Sequence, residues 1–263
     1  MPEGHTIHRL ARDHKRWFVD QSTGLCSPQG RFEKEAGKLD GGILRDVTAH
    51  GKHLFYHWGS QKIVHVHLGL YGKFRIHKNP APEPRGAVRL RLIGQDRSFD
   101  LNGPTCCELI NMKQHQAIKA RLGQDPLGVD ACPETLWLRI SRSRSAIGTL
   151  LLNQSVIAGV GNVYRAEILF LLGIHPETPA KELSRGQFDE LWTLTVNLLK
   201  TGLKYNRIIT VDRQSVDKPL SRLNSSERLH VYKKTNCRRC GGKIRMWLLG
   251  SRKMYACQTC QRK

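Results

Sequence analysis

Two groups of residues in this 263-residue chain have types and spacings that suit chemistry. The first is the start, MPEGHTIHRL. Removal of Met1 ahead of a proline leaves Pro2 as a free secondary amine. An α-amino group has a pKa of about 8, roughly two units below a lysine side chain, so part of it is neutral and nucleophilic near pH 7. Such an amine can attack a sugar or aldehyde carbon and form an iminium ion, the proline counterpart of lysine Schiff-base chemistry. The adjacent acid, Glu3, can move the protons this requires. Taken alone, a Pro-Glu start is equally at home in a frayed terminus.

The second group is CRRCGGKIRMWLLGSRKMYACQTC, which holds Cys237-x-x-Cys240 and Cys257-x-x-Cys260 with 16 residues between the pairs. Each short pair can present two thiolates to one ion, and the insert can fold as a hairpin that joins the pairs. That is zinc-ribbon spacing. Four protein ligands leave no open position, so a single structural Zn2+ is expected. Gly241-Gly242 permits a tight turn, and residues 243–249 and 253–256 read as strands. A segment of this size builds little core of its own, so the metal should supply folding energy. Gly250-Ser251-Arg252-Lys253 falls at the hairpin tip, where Arg252 can grip a phosphate bidentately. The other cysteines, Cys26, Cys106, Cys107 and Cys132, read as small buried or half-buried residues in a reducing compartment.

These groups need elements to position them. Residues 5–18 read as a helix with Ile7, Leu10, Ala11, His14 and Phe18 near one face, and Glu3 at its N-terminal end suits the helix dipole. Residues 24–110 read as β-rich. Segments 54–58, 63–67, 72–77 and 88–93 are short strands broken by Gly, Asn and Pro, and RGAVRLRLIG alternates as a half-exposed strand does. A β-sandwich or flattened barrel is the natural closure. After Asp125-Pro126-Leu127-Gly128 the periodicity turns helical, over 134–140, 147–152, 163–172 and 184–199, the last capped by Ser184. Between two of these helices lies QSVIAGVGNVYRAE. Its glycines allow close backbone approach, and Asn162 with the following helix start suits a phosphate. In VHVHLGLYGKF, Leu70 and Tyr71 lie between Gly69 and Gly72, either packed on the sandwich or exposed as an apolar wedge for a base stack.

The charge is +21, and residues 203–263 hold 16 Lys or Arg against Asp212, Asp217 and Glu227. A field of that sign attracts polyanions, nucleic acid first. No apolar run reaches the roughly 18 residues of a membrane span, and the start lacks a secretory apolar region. A cytoplasmic protein is expected.

In this order, an N-terminal Pro-Glu-Gly, a Gly51-Lys52 hairpin, the Gly159-Val160-Gly161-Asn162 turn and a four-cysteine ribbon bearing Arg252 resemble the Fpg/Nei family. These are the formamidopyrimidine-DNA glycosylases and endonuclease VIII enzymes. The resemblance covers essentially the whole chain and is nearest the bacterial endonuclease VIII branch, of actinobacterial type. It implies an α+β fold: an N-terminal β-sandwich with an N-terminal helix over residues 1–127, a helix–two-turn–helix domain over 128–229 and a zinc finger over 230–263. It implies a monomeric, bifunctional glycosylase and abasic-site lyase of base excision repair, acting on damaged double-stranded DNA in the bacterial cytoplasm. Oxidised pyrimidines are the expected substrates. Residue by residue, Pro2 is then the Schiff-base nucleophile and Glu3 the proton donor. Lys52 is a proton donor and phosphate contact, Asn162 a phosphate contact, and Arg252 a phosphate contact that serves the elimination. Leu70 and Tyr71 fill the place of the flipped nucleotide, and Cys237, Cys240, Cys257 and Cys260 hold zinc.

Departures bear on specificity. The 102–108 stretch NGPTCCE lacks the Arg-Phe pair of the formamidopyrimidine enzymes, and Leu70 stands where they have Met. His5-Thr6 replaces the Pro-Glu that many members carry there. The alternatives are an 8-oxoguanine-type glycosylase, a non-catalytic zinc-ribbon DNA-binding protein and an N-terminal-proline tautomerase. The binding protein gives no reason for Pro2-Glu3, and the tautomerase none for the basic tail.

Overall fold

The computed structural model describes residues 2–59 and 61–262. The first part of the chain runs α1 (Gly4–Phe18), β1 (Gly24–Cys26), α2 (Glu33–Gly37), β2 (Asp46–His50), β3 (His53–His57), β4 (Ile63–His67), β5 (Lys73–Lys78), β6 (Val88–Ile93), β7 (Arg97–Asn102), β8 (Cys106–Ile110) and α3 (Met112–Ala120). Helices α4 (Pro133–Ile140), α5 (Ile147–Leu150), α6 (Asn162–Leu171) and α7 (Arg185–Tyr205) follow, and the hairpin β9 (Ile244–Leu249) and β10 (Arg252–Cys257) closes the chain. The fold is the α+β type expected. It forms two units: Ile7–Arg121 with Pro2 and Glu3, and the chain from Leu122 onward with Gly4–Thr6.

The first unit is a sandwich of two antiparallel four-stranded sheets, β1-β6-β7-β5 and β2-β3-β4-β8. Alternate residues of each strand enter one core: Leu54 and Tyr56, Val64 and Val66, Leu90 and Leu92, Phe99 and Leu101. Helix α1 adds Ile7, Ala11 and Phe18 at helical spacing, and His14 beside them donates to or accepts from the Tyr56 hydroxyl at 2.6 Å. Burial pulls His14 down to about 3 against the opposing pull of Asp13, so its ring is neutral and packs as an aromatic. It stacks on Phe99 with ring centres 5.0 Å apart.

One strand differs from its sequence reading. Apolar–basic alternation predicts an outward Arg91, yet Arg91 is only 7% exposed. Its Nε and Nη2 donate to the two carboxylate oxygens of Asp100, itself buried on the neighbouring strand β7, at 2.6 and 2.8 Å. A bidentate partner satisfies the guanidinium, so a charge can occupy a position that pattern alone assigns to solvent. His77 adds a contact to Asp100 at 3.1 Å.

In the second unit, α7 begins where predicted. The Ser184 Oγ accepts from the Gln187 N–H while the Gln187 side chain accepts from the Ser184 N–H, a reciprocal capping box. The helix runs past Leu199 to Tyr205 and stops at Asn206, whose φ of 53° lies in the left-handed region. Phe188, Leu191, Leu198 and Leu199 share a core with Ile168 and Phe170. Cys237, Met254 and Cys257 of the ribbon enter the same core, so the hairpin is packed against the helices at its base. Glu167, wholly buried, accepts the backbone N–H groups of His230, Val231 and Tyr232 at 2.8 Å each, and the Thr210 hydroxyl at 2.5 Å. One carboxylate thereby holds the chain entering the ribbon. The basic 205–228 stretch carries its own small core of Ile209, Val211 and Leu223.

The Arg91–Asp100 pair yields a prediction. Arg91→Ala strips the buried Asp100 carboxylate of its bidentate guanidinium and leaves it only the His77 contact, which should cost about 3 kcal/mol, read as a lower urea midpoint. Burial alone would raise the Asp100 pKa, but the bonds and charge of Arg91, with His77, hold it below the ordinary carboxylate value. Its stabilisation is therefore present above the unfolded carboxylate pKa and lost as pH falls through the folded one. The acid limb of the wild-type stability profile should shrink in Arg91→Ala.

Candidate functional site

The chain start is held, not frayed. Pro2 is partly exposed, whereas Glu3 is wholly buried and forms the N-cap of α1. Directly after it, the Gly4 N–H donates to the Gly159 carbonyl at 2.8 Å. A Cβ on Gly4 would lie 2.8 Å from the Gly159 Cα, and Gly159 has φ +93°. Glycine is required on both sides of this approach. Met1, whose removal would expose the Pro2 amine, lies outside the described residues.

His5 continues the anchor. It packs edge-on against Tyr164 with ring centres 5.4 Å apart, and burial pulls it down to about 4. Position 5 thus carries a neutral ring at pH 7. Gly202 of α7 makes room for it: a Cβ there would collide with the Tyr164 hydroxyl and stand 2.8 Å from the His5 ring.

The 159–162 turn has a second neighbour, the ribbon hairpin. Asn162, at the start of α6, donates from Nδ2 to the Lys253 carbonyl at 2.9 Å. Arg165, one turn on and wholly buried, donates to the Asn162 Oδ1 at 2.6 Å, the Leu249 carbonyl at 3.0 Å, the Lys253 carbonyl at 3.3 Å and the Gly148 carbonyl at 3.2 Å. One guanidinium grips both strands of the hairpin on either side of its turn. The turn is Gly250-Ser251, both with φ +59°, the left-handed pair that a tight two-residue hairpin uses. Arg252 is exposed and pairs with Leu249, so it opens the return strand instead of occupying the turn. The sequence reading missed Arg165. The available signal was an arginine and a glutamate inside NVYRAEILFL, an otherwise apolar helix.

At the base of the hairpin the four cysteine sulfurs lie within 4.8 Å of one another. Cys237 and Cys260 are 3.9 Å apart, and Cys240 and Cys257 are 3.4 Å apart. Tetrahedral bonds of about 2.3 Å require sulfur–sulfur edges of about 3.8 Å, so the cluster fits a tetrathiolate metal site. The N–H groups of Arg239 and Cys260 point at the sulfurs of Cys237 and Cys257, donors that stabilise thiolates. Of the remaining cysteines, Cys106 and Cys107 are half-buried as expected, but Cys26 and Cys132 are exposed: Cys26 ends a three-residue strand and Cys132 precedes α4.

The sandwich carries the other two groups. Lys52 occupies the two-residue turn between β2 and β3 behind Gly51, whose φ is +57°. Leu70 and Tyr71 are 54% and 81% exposed, which decides against their packing on the sandwich. Their loop is shaped by Gly69, with φ +65° and the Thr105 Oγ1 in the space a Cβ would take, and by Gly72, whose N–H donates to the Leu68 carbonyl at 3.0 Å. Asn162, Arg165 and the hairpin of Arg252 come together in one unit, while Lys52, Leu70 and Tyr71 belong to the other. Among the described residues no helix is long and apolar enough to cross a membrane.

Arg165→Met should release the hairpin while keeping an apolar stem in the core. Amide hydrogen exchange over residues 244–257 is expected to rise about tenfold or more, since each lost bond to a charged donor is worth about 1.5–3 kcal/mol. Metal content should stay unchanged.

Comparison with known proteins places the whole chain beside one group of proteins. Residues 1–103 match the formamidopyrimidine-DNA glycosylase N-terminal domain, and residues 122–214 match the formamidopyrimidine-DNA glycosylase H2TH domain. Endonuclease 8 1 of Mycobacterium tuberculosis is 46% identical over 99% of this chain and 100% of its own. Endonuclease 8 of Pectobacterium carotovorum is 30% identical over the full length of both. Among solved structures, Lactococcus lactis Fpg in complex with DNA containing N7-benzyl-Fapy-dG superposes with a TM-score of 0.82 at 25% identity, covering all of both chains. A complex of Lactococcus lactis Fpg with DNA containing an abasic site also gives 0.82, at 24% identity, covering 99% of this chain and 100% of the other.

Proposed function

The chain belongs to the family of formamidopyrimidine-DNA glycosylases and endonuclease VIII enzymes, and from that premise we propose how this member works. It is a DNA glycosylase with abasic-site lyase activity in base excision repair, a monomer acting on damaged duplex DNA, in the cytoplasm. Its preferred substrates are oxidised pyrimidines. The supporting observation is the anchored terminus: Glu3 wholly buried, Pro2 partly exposed beside it, and Gly4 docked on Gly159. An amine meant to attack one carbon must be held within a fraction of an ångström, which a frayed terminus cannot do.

In this reading the Pro2 nitrogen attacks C1′ of the damaged nucleotide. The C1′–base bond breaks and the base leaves with a proton supplied through Glu3; the Pro2 N–H proton passes to O4′ as the sugar ring opens, leaving an iminium between Pro2 and C1′. Loss of a C2′ proton then expels the 3′ phosphate and a further elimination expels the 5′ phosphate, so the strand is cut on both sides of the sugar. Lys52, Asn162 and Arg252 hold phosphates, Lys52 also serving as a proton donor and Arg252 assisting the eliminations. Leu70 and Tyr71, apolar and exposed, enter the stack where the nucleotide has flipped out. Cys237, Cys240, Cys257 and Cys260 hold one Zn2+, which with no open position cross-links the hairpin and takes no part in bond-making.

Borohydride reduction during incubation with an abasic duplex tests the nucleophile. A covalent protein–DNA adduct should map to Pro2 in Met1-processed protein, and its absence overturns the lyase mechanism. Duplexes carrying an oxidised pyrimidine or 8-oxoguanine test specificity, and equal or faster cutting of 8-oxoguanine would contradict the pyrimidine assignment. Arg252→Ala should weaken duplex binding about tenfold with zinc content intact, as loss of one charge-assisted phosphate contact implies. Stripping the ribbon's zinc with a chelator should lower Tm and duplex affinity together.

A further inference from the structure

The outer face of the β2-β3-β4-β8 sheet carries side chains that neither the core nor the proposed reaction uses. Strand alternation and register set His53, His67 and Cys106 in one cross-strand row, and Phe55, His65 and Glu108 in the next. Leu54, Val64 and Val66 fill the core from the opposite face. His65 Nδ1 lies 2.8 Å from Glu108 Oε1 and 3.6 Å from Cys106 Sγ. A nitrogen, a sulfur and a carboxylate oxygen thus sit within 4.8 Å of one another. On the far side of the same ring, His65 Nε2 is 2.8 Å from His53 Nδ1.

We propose that His65, Cys106 and Glu108 form a second metal site, which takes Zn2+ through His65 Nδ1, Cys106 Sγ and a Glu108 oxygen and leaves the fourth position to water. Imidazole, thiolate and carboxylate are the donors that Zn2+ accepts. Tetrahedral bonds of about 2.0–2.3 Å require a nitrogen–sulfur edge of about 3.6 Å and a nitrogen–oxygen edge of about 3.4 Å. The first is already met. The second needs an outward shift of about 0.6 Å by Glu108, whose side chain is 51% exposed and can make it. Cys106 binds as thiolate and its proton passes to solvent, so uptake strengthens as pH rises. With Nδ1 on the ion, the His65 Nε2–H donates to His53 Nδ1. This is the outer partner that fixes the tautomer and orientation of a metal-bound imidazole, and it makes His53 a positioning residue.

The site lies at the root of two loops. Thr105, directly before Cys106, props Gly69 at the start of the Leu70–Tyr71 loop, and His53 directly follows Lys52. An ion bound here would stiffen both.

Metal analysis of the full chain dialysed against micromolar Zn2+ tests the proposal without reference to activity. Two equivalents are expected in the wild type and one in Cys106→Ser. Glu108→Gln, a change at a half-exposed position, should weaken the second ion about tenfold or more. Cys240→Ser should lose the ribbon's ion and keep this one, so the two sites fail separately. A single equivalent that survives Cys106→Ser overturns the proposal, as does a second equivalent indifferent to both Cys106→Ser and Glu108→Gln.

Discussion

Much of the second unit hangs on one constraint, the bare backbone of the Gly159-Val160-Gly161-Asn162 turn. Because Gly159 lacks a side chain, the Gly4 amide can reach its carbonyl, and the chain start is tied down within two residues of the proposed nucleophile. A few residues on, Asn162 and Arg165 hold the ribbon hairpin by its own carbonyls. The same turn therefore places a chain start and a finger drawn from opposite ends of the sequence. Hydrogen bonds to backbone serve this purpose well, since they survive changes in the side chains of the hairpin itself.

Charge is distributed to the same end. The acids that matter to the fold are engaged internally. Asp100 neutralises Arg91, Glu167 gathers three backbone amides, and Asp40 accepts the Leu25 N–H. Of the three acids beyond Leu203, Asp212 caps a short helical turn and Glu227 pairs with Lys218. Few carboxylates remain to screen the basic surplus of that region. The result is a strong positive field that favours association with a polyanion and weakens with salt.

Much of the fold was legible because its periodicities are strong. Ile7, Ala11 and Phe18 mark α1, and Phe188, Leu191 and Leu198 mark α7. Ser184 signalled its cap through a partner only three residues away. Other elements were hidden for physical reasons. Arg91 and Asp100 obscure the alternation of β6 and β7, because a paired charge can be buried where pattern assigns solvent. Helix α3 is largely polar and is set by the Asn111–Gln114 capping box more than by an apolar face.

The sequence by itself determined which groups can do chemistry: an amine beside an acid at the chain start, four thiols in two close pairs, and arginine in a hairpin. These are legible because they depend on residue type and short spacing, and a covalent chain fixes short spacing. Tertiary structure alone decided the rest. It buried Glu3, exposed Leu70 and Tyr71, put Arg252 into the return strand and gave the hairpin to Arg165. It also set His65 beside Cys106 and Glu108, 41 and 43 positions away. Such neighbours arise from sheet register and from the close approach of distant backbone, which no local pattern encodes.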